Sequence, residues 1–164
     1  MKTMSIYDNN REFNKYLKEQ FSLLNIEMHI ENNRNKLSGA YDFIVINDGR
    51  DIEKNKGNFE GKYILLNMDM PIGIDLDLSG MVVTYGLGNR NTITVSSMEK
   101  DKESFVYCLQ RCLNSHSSII QPEEIPINST FKDNYELYSF MVTITIALIE
   151  GINSCNIRKL LLNK

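Results

Sequence analysis

Apolar residues in the first half of the chain occur as short continuous runs, separated by segments rich in Gly, Pro, Asn and Asp. These runs occupy positions 5–7, 41–46, 63–66 and 81–85. Runs of Ile, Leu and Val bounded in this way are typical of strands buried on both faces of a parallel sheet. The last two runs flank a short acidic connection and form the centre of the predicted core.

A helix is predicted between the first two of these strands. It is indicated by apolar residues that recur at helical intervals, with charged residues elsewhere: Phe13, Leu17, Phe21 and Leu24. Asn9 and Glu12 have the spacing of a capping box, which places the start of the helix after Asn9. Positions 26–30 then alternate between apolar and polar residues and predict a half-buried strand.

The pattern changes after Gly88. Three strand-like runs follow at 92–98, 104–113 and 119–127, separated by polar turns. Closely spaced strands of this kind predict an antiparallel β-meander. Pro122 and Pro126 place the last run at a sheet edge, because proline cannot donate to the hydrogen-bond ladder.

The segment 134–150 is apolar on almost every side, which predicts a buried helix. Asp133 and Glu136 have capping-box spacing at its start, and Gly151 supplies a stop. The many β-branched residues at 141–146 leave a strand open as the alternative.

Two apolar surfaces, the helix face over 137–149 and a short tail with Ile157, Leu160 and Leu161, suggest association. We therefore expect a homo-oligomer, in the simplest case a symmetric dimer that covers both surfaces. The alternative is that both surfaces complete the core of a monomer.

Composition fits one α/β domain over residues 1–164, with a mostly parallel Rossmann-like sheet, flanking helices and the small meander. A net charge of −3 gives no basic field for a phosphate backbone, so no nucleic-acid partner is expected. The longest apolar stretch, 140–149, is about half of the roughly 20 residues that cross a membrane, so no membrane partner is expected either. Three cysteines in no metal spacing indicate reduced thiols and a cytoplasmic location.

Motifs that would announce an activity are missing. The chain contains no GxxxxGK[ST] loop for a nucleoside triphosphate and no Gly-x-Ser-x-Gly elbow, and Gly86-Leu87-Gly88 is only a turn after a strand. Asp69, Asp75 and Asp77 could hold a divalent cation through oxygen ligands, but a solvated loop is the favoured interpretation. We predict no catalytic residue, no metal site and no cofactor.

Four segments in order resemble the second half of the central domain of the Mur ligases, which join amino acids to peptidoglycan precursors using ATP. They are ILLNMDMP, VVTYGLGN, the meander with SFVYCLQR, and KDNYELYSFMVTITIALIEGI, within residues 41–152. The resemblance aligns Asn67 and Asp69 with the family's Asn-x-Asp-Asp segment. It aligns Asn134 with the first Asn of the family's Gly-x-His-Asn-x-x-Asn helix start.

The chain departs from this family at the residues that carry its chemistry. Met70 replaces the second Asp, Asp133 replaces the His, and Leu137 replaces the Asn that contacts adenine in the family. The Walker loop, the metal-binding Glu and His and the ligase domain have no counterpart. The resemblance thus implies a relative that does not hydrolyse ATP by the family's route.

ILLNMDMPIG also resembles the phosphoacceptor strand of receiver domains, with Asn67 at the acceptor position. Pro71 and Gly73 leave no room for the helix that a receiver places before its next strand. We therefore prefer the Mur-ligase-like interpretation.

Two classes of function follow. The first is a non-catalytic binding or interaction module that acts on a small molecule or a protein partner. The alternative is an enzyme of unrecognised type with a small-molecule site at the carboxyl edge of the sheet. In either class, the candidate ligand-binding residues are those that follow the central strands or begin the last helix: Asp48, Asn67, Asp69, Asn89 and Asn134.

Overall fold

The structure is a computed structural model that describes residues 1–32, 39–50, 52, 58–71, 76–99, 101 and 103–162. Most of the charged segment after Asp48, for which the sequence predicts a short helix or a loop, lies outside these residues. Asp75 also lies outside them.

One sheet of eight strands forms the centre of the fold, in the order β10-β7-β6-β5-β4-β3-β1-β2. Neighbouring strands from β2 to β6 are parallel, and β6, β7 and β10 pair antiparallel. A separate two-stranded antiparallel sheet contains β8 and β9. The strands are β1 (Lys2–Tyr7), β2 (Met28–Asn32), β3 (Tyr41–Ile46), β4 (Asn58–Asn67), β5 (Asp77–Tyr85), β6 (Ile93–Met98), β7 (Phe105–Leu109), β8 (Leu113–Asn114), β9 (Ile119–Ile120) and β10 (Glu123–Ile127).

This architecture confirms the predicted fold class, a mostly parallel α/β sheet extended by a meander. Within the described residues, three helices accompany the sheet: α1 (Arg11–Leu23), α2 (Asn134–Ile149) and α3 (Ser154–Leu161). The strand β10 lies at one edge, as its prolines predict.

The start of α1 corrects the predicted cap. Asn10, not Asn9, is the N-cap, and its side-chain oxygen accepts the backbone N–H of Glu12 at 2.8 Å. The spacing of Asn9 and Glu12 matched the capping pattern by coincidence, because the turn after β1 is one residue longer than the pattern assumes. The following strand also begins at Met28, two residues later than the alternation predicted.

Helix α2 lies in the main core, which confirms the helix and excludes the strand. Asp133 caps it by accepting the backbone N–H of Glu136 at 2.9 Å, and Gly151 follows its end with a φ of 88°. Two of its polar side chains bond to α1: Gln20 donates to Ser139 at 2.7 Å and accepts from Thr143 at 3.0 Å. These bonds satisfy polar groups that a buried helix would otherwise leave unpaired.

The two surfaces from which association was predicted are covered by the chain itself. All residues of α2 from Glu136 to Ile149 are buried, as are Ile157 and Leu161 in α3, and Leu160 packs partly buried against the same core. The alternative, in which both complete the monomer's core, is thus the one observed for these surfaces. Oligomeric state stays a prediction and needs a different surface.

The helices lie on one face of the sheet. Residues of α1, α2 and α3 share one large core with strand residues, while the opposite face has a smaller cluster around Phe59, Ile64 and Ile52. No helix in the part of the chain that the structure describes is long and apolar enough to cross a membrane.

Asp42 links three strands near their amino ends. Its carboxylate accepts hydrogen bonds from the ammonium group of Lys62 at 2.6 Å and from the backbone N–H of Thr3 at 2.9 Å. The bond from Lys62 is the main reason why the pKa of Asp42 falls from 3.8 to about 2. A carboxyl group with a lowered folded-state pKa adds stability above its unfolded pKa and loses it as the pH falls through the folded value.

We therefore expect Asp42→Asn to flatten the acid side of the stability curve. The wild-type protein should lose part of its stability between pH 3.8 and about 2, and the variant should lose less over that range. Thermal unfolding at a series of pH values measures the difference. Asp101→Asn, at an exposed turn, is the control, and an identical slope for Asp42→Asn and wild type would contradict the expectation.

Candidate functional site

The carboxyl ends of β1, β3, β4 and β5 meet at one edge of the sheet, because neighbouring parallel strands end on the same side. From β1 the chain first continues to β2 on one side and later returns to β3 on the other side, so the strand order reverses between β1 and β3. Open α/β sheets bind ligands at such a switch point. A residue with a polar side-chain group ends or directly follows each of these strands: Asp8, Asn47, Asn67 and Tyr85.

Asn47 lies at the centre of the edge and is fully buried. Its amide nitrogen donates to Asp8 Oδ2 at 2.7 Å. Its amide oxygen accepts from Asn67 Nδ2 at 2.8 Å and from the Tyr85 hydroxyl at 2.7 Å. One side chain therefore joins residues that end four different strands, and we call Asp8, Asn47, Asn67 and Tyr85 the asparagine network.

The turn after β1 folds back on itself. Asp8 Oδ1 accepts the backbone N–H of Asn10 at 2.6 Å, and the Tyr7 carbonyl lies 3.1 and 3.2 Å from the backbone N–H groups of Asn47 and Asp48. These contacts fix the first βα turn against the end of β3. The N–H groups involved already have acceptors from the chain.

Asp69 makes a second set of contacts beside the network. Asn67 Oδ1 accepts its backbone N–H at 2.9 Å, while Asp69 Oδ2 accepts the backbone N–H of Leu87 at 2.7 Å and the hydroxyl of Tyr138 at 2.9 Å. Gly86 makes this approach possible. Its φ is 150°, and a Cβ there would lie 2.6 Å from Asp69 Oδ1.

The two acidic residues nearest the switch point have opposite electrostatic environments. Burial raises the pKa of Asp8, only partly offset by its bonds from Asn10 and Asn47. The Arg50 guanidinium, which contacts both carboxylate oxygens, lowers the pKa of Asp48. Asp48 is thus a charged group already paired within the chain.

The two tyrosines act as hydrogen-bond donors. Burial raises the pKa of Tyr85 strongly, and burial followed by the bond to Asp69 raises the pKa of Tyr138. Their hydroxyl groups therefore stay protonated and donate to Asn47 and Asp69. This arrangement holds α2 and β5 in place and supplies no activated nucleophile.

The structure brings together some of the predicted site residues. Asn67 and Asp69 are in direct contact, and Asp48 lies beside Asn47 at the end of β3. Asn89 is exposed in the turn after β5. Asn134 is exposed in the first turn of α2, one helical turn before Tyr138.

Sequence reasoning did not assign Asp8, Asn47, Tyr85 or Tyr138 to the site. A sequence pattern could have identified Asn47, because each of the two buried strands β3 and β4 has an asparagine at its carboxyl end, Asn47 and Asn67. The hydroxyl contacts of the tyrosines depend on strand register and on the position of α2, which local pattern does not give.

A cleft of about 580 Å³ lies beside the β1 turn and the start of α1. Its lining mixes acidic, basic and amide groups, among them Asp8, Asn14, Lys15 and Lys18. Asp8 belongs both to this cleft and to the asparagine network.

The acidic residues considered for a cation do not share a site. Asp69 lies at the carboxyl edge, whereas Asp77 begins β5 at the opposite edge. Within the described ranges, no group of three or more His, Cys, Asp or Glu side chains could hold a metal ion.

Comparison with known proteins gives a likeness of fold. No protein-family model and no curated protein matches the chain. Among solved structures, the chain is similar to MurF from Acinetobacter baumannii, with a TM-score of 0.53 and 8% identity. The match covers 97% of this chain and 44% of the MurF chain, so this chain spans less than half the length of that protein.

At 8% identity the likeness concerns the fold alone. It supports a partial Mur-ligase-like architecture, as the four segments within residues 41–152 predicted. It extends this architecture beyond residues 41–152, because the match includes nearly the whole chain.

Proposed function

We propose that this chain is a non-catalytic binding or interaction module built on a Mur-ligase-like fold. The proposal rests on the hydrogen bonds at the carboxyl edge of the sheet. The polar groups that would meet a ligand there are bonded to one another, through Asn47 and through Asp69.

The first βα turn argues against nucleotide chemistry. Nucleotide-binding folds use this turn to present free backbone N–H groups and glycines to phosphate. Here the turn from Asp8 to Asn10 has no glycine, and the Asp8 carboxylate occupies the N–H of Asn10. A phosphate would have to displace this carboxylate and would meet its negative charge.

The second half of the edge is closed in the same way. The backbone N–H of Leu87 and the hydroxyl of Tyr138 already donate to Asp69. Any ligand that used these donors would leave a carboxylate without its partners, at a cost of about 1–3 kcal/mol for each bond lost.

The cleft beside Asp8 favours the alternative, an enzyme with a small-molecule site at the carboxyl edge. Lys15 and Lys18 in its lining would suit an acidic ligand. Binding there, abolished by Lys15→Ala with Lys18→Ala, combined with turnover of the ligand would replace the first proposal with this alternative.

The partner is a small molecule or a protein, and a cytoplasmic location agrees with the free thiols at Cys108, Cys112 and Cys155. A thermal-shift screen with nucleotides and UDP-linked muramyl precursors distinguishes the ligand classes. A ligand at 100 times its dissociation constant should add about 2.7 kcal/mol of stability.

For Mg-ATP we expect no binding by isothermal titration. The Asp8 carboxylate holds the turn where the phosphates would lie, and the site that the Mur resemblance assigns to adenine has Leu137, which is fully buried. A dissociation constant in the micromolar range would contradict this expectation and the closed edge on which the proposal rests. Mg-ADP and free Mg²⁺, titrated in parallel, separate nucleotide binding from cation binding.

A further inference from the structure

The two edges of the eight-stranded sheet differ. The outer strand β10 contains Pro126 and follows Pro122, and proline interrupts the row of donors that another strand would need. The opposite outer strand, β2, contains neither proline nor a bulge in its pairing with β1. No other strand of the described residues pairs with the outer side of β2.

A groove of about 400 Å³ runs beside β2 on the face that carries α1. Its apolar lining consists of Phe21, Ile26, Met28 and Ile30, and the last three are only partly buried. An added strand would continue the sheet and place its apolar side chains against this groove.

The sequence of β2, Met-His-Ile-Glu-Asn, fits an antiparallel copy of itself. Only every second residue of an edge strand points its backbone N–H and C=O away from the sheet. In an antiparallel pair, residues that lie opposite each other must be of the same kind, so a two-fold axis between two identical edge strands passes through a residue and not between two residues. An axis at Ile30 pairs all five residues of β2, with Ile30 opposite Ile30 and Met28 opposite Asn32.

Side-chain complementarity selects this register. With the axis at Ile30, His29 of each copy lies opposite Glu31 of the other, on the exposed face. An axis at Glu31 would place two carboxylates opposite each other, and an axis at His29 would pair the two imidazoles. Within one chain His29 Nε2 already lies 3.5 Å from Glu31 Oε1, so both groups lie on the same face.

We infer that two copies of this chain associate through antiparallel pairing of their β2 strands, about a two-fold axis at Ile30. The interface joins the two sheets into one continuous sheet, and the Ile30 side chains meet over the two grooves. It uses neither α2 nor the tail, and it holds whether or not the carboxyl edge binds a ligand.

Disulfide trapping tests the register. In a background of Cys112→Ser and Cys155→Ser, which removes the two exposed thiols, Ile30→Cys places two sulfurs opposite each other at the axis. Mild oxidation of the full chain should cross-link Ile30→Cys at least about five-fold more than His29→Cys or Glu31→Cys, because a disulfide requires Cα atoms about 4.4–6.8 Å apart. Equal cross-linking of all three variants, or none of Ile30→Cys, would overturn the inference.

Sedimentation at about 50 μM, above the dissociation constants of typical specific pairs, provides a test without a change at Ile30. The wild-type mass should be twice 18.9 kDa. His29→Glu should weaken the dimer about ten-fold by placing like charges opposite each other, and His29→Glu with Glu31→Lys should restore it. A monomer in the wild type, or no difference between the two variants, would contradict the interface. Thermal unfolding of each variant confirms that it is folded.

Discussion

Phe140→Ala is expected to lower the free energy of unfolding by about 3–5 kcal/mol. Phe140 is 0% exposed in α2, and its ring centroid lies 5.2 Å from that of Phe105 in β7. Truncation removes buried apolar area and leaves a cavity that the flanking helix and strand cannot fill. Urea unfolding, analysed for midpoint and slope, measures the loss.

Leu162→Ala is the matched control for this substitution. Leu162 is 56% exposed beyond α3, so its truncation should change stability by less than about 0.5 kcal/mol. If Phe140→Ala cost less than about 1 kcal/mol, α2 would not lie in the core and the Mur-ligase-like packing of helix on sheet would be wrong.

Asn47→Ala is expected to cost about 2–5 kcal/mol, although it removes only a polar side chain. The amide satisfies three buried or partly buried groups, on Asp8, Asn67 and Tyr85. Each group left without a partner costs about 1–3 kcal/mol, and cavity formation adds to this. Urea unfolding again gives the magnitude.

Asn89→Ala is the control, since Asn89 is an exposed asparagine at the same edge of the sheet. It should change stability by less than about 0.5 kcal/mol. Similar small losses for both variants would show that the asparagine network does not hold the edge together. The interpretation of the edge as closed would then fail.

The sequence predicted the central strands well because they are continuous apolar runs, which are typical of strands buried on both faces of a sheet. The buried helix α2 was predicted despite its β-branched segment, since its apolar residues cover every side and Asp133 caps it. Boundaries were less accurate. The cap of α1 moved from Asn9 to Asn10 because the turn after β1 is one residue longer than the capping-box pattern assumes.

The interior role of α2's polar side chains lay beyond local pattern. Ser139 and Thr143 interrupt a helix that is otherwise apolar, and both bond to Gln20 from α1, more than a hundred residues away in sequence. The same limit explains why the apolar surfaces of α2 and the tail suggested a dimer. Sequence gives the apolarity of a face and not the element that covers it.

Asn67 and Asp69 lie at the predicted carboxyl edge, where they contact Asn47, Leu87 and Tyr138. Their role in ligand binding stays a prediction. A polar residue at a strand end is equally consistent with a binding role and with a structural bond. Only the geometry of the neighbouring strands distinguishes these two.

The hydrogen-bond donors of the closed edge contribute to the stability of the fold. In a ligand-binding site, the free energy available from edge donors is used on binding; here the same donors stabilise the connections between β1, β3, β4 and α2. We therefore expect variants of this edge to change stability more than ligand affinity.

Chemical-shift mapping with Mg-ATP tests the closed carboxyl edge most directly. The backbone amides to follow in ¹⁵N-labelled protein are those of Asn10, Asp48 and Leu87, whose N–H groups contact Asp8, Tyr7 and Asp69. We expect these three signals to stay unchanged as Mg-ATP is added at excess. Saturable shifts of the three amides together would show that the edge opens to a nucleotide and would contradict the closed edge on which the proposed function rests.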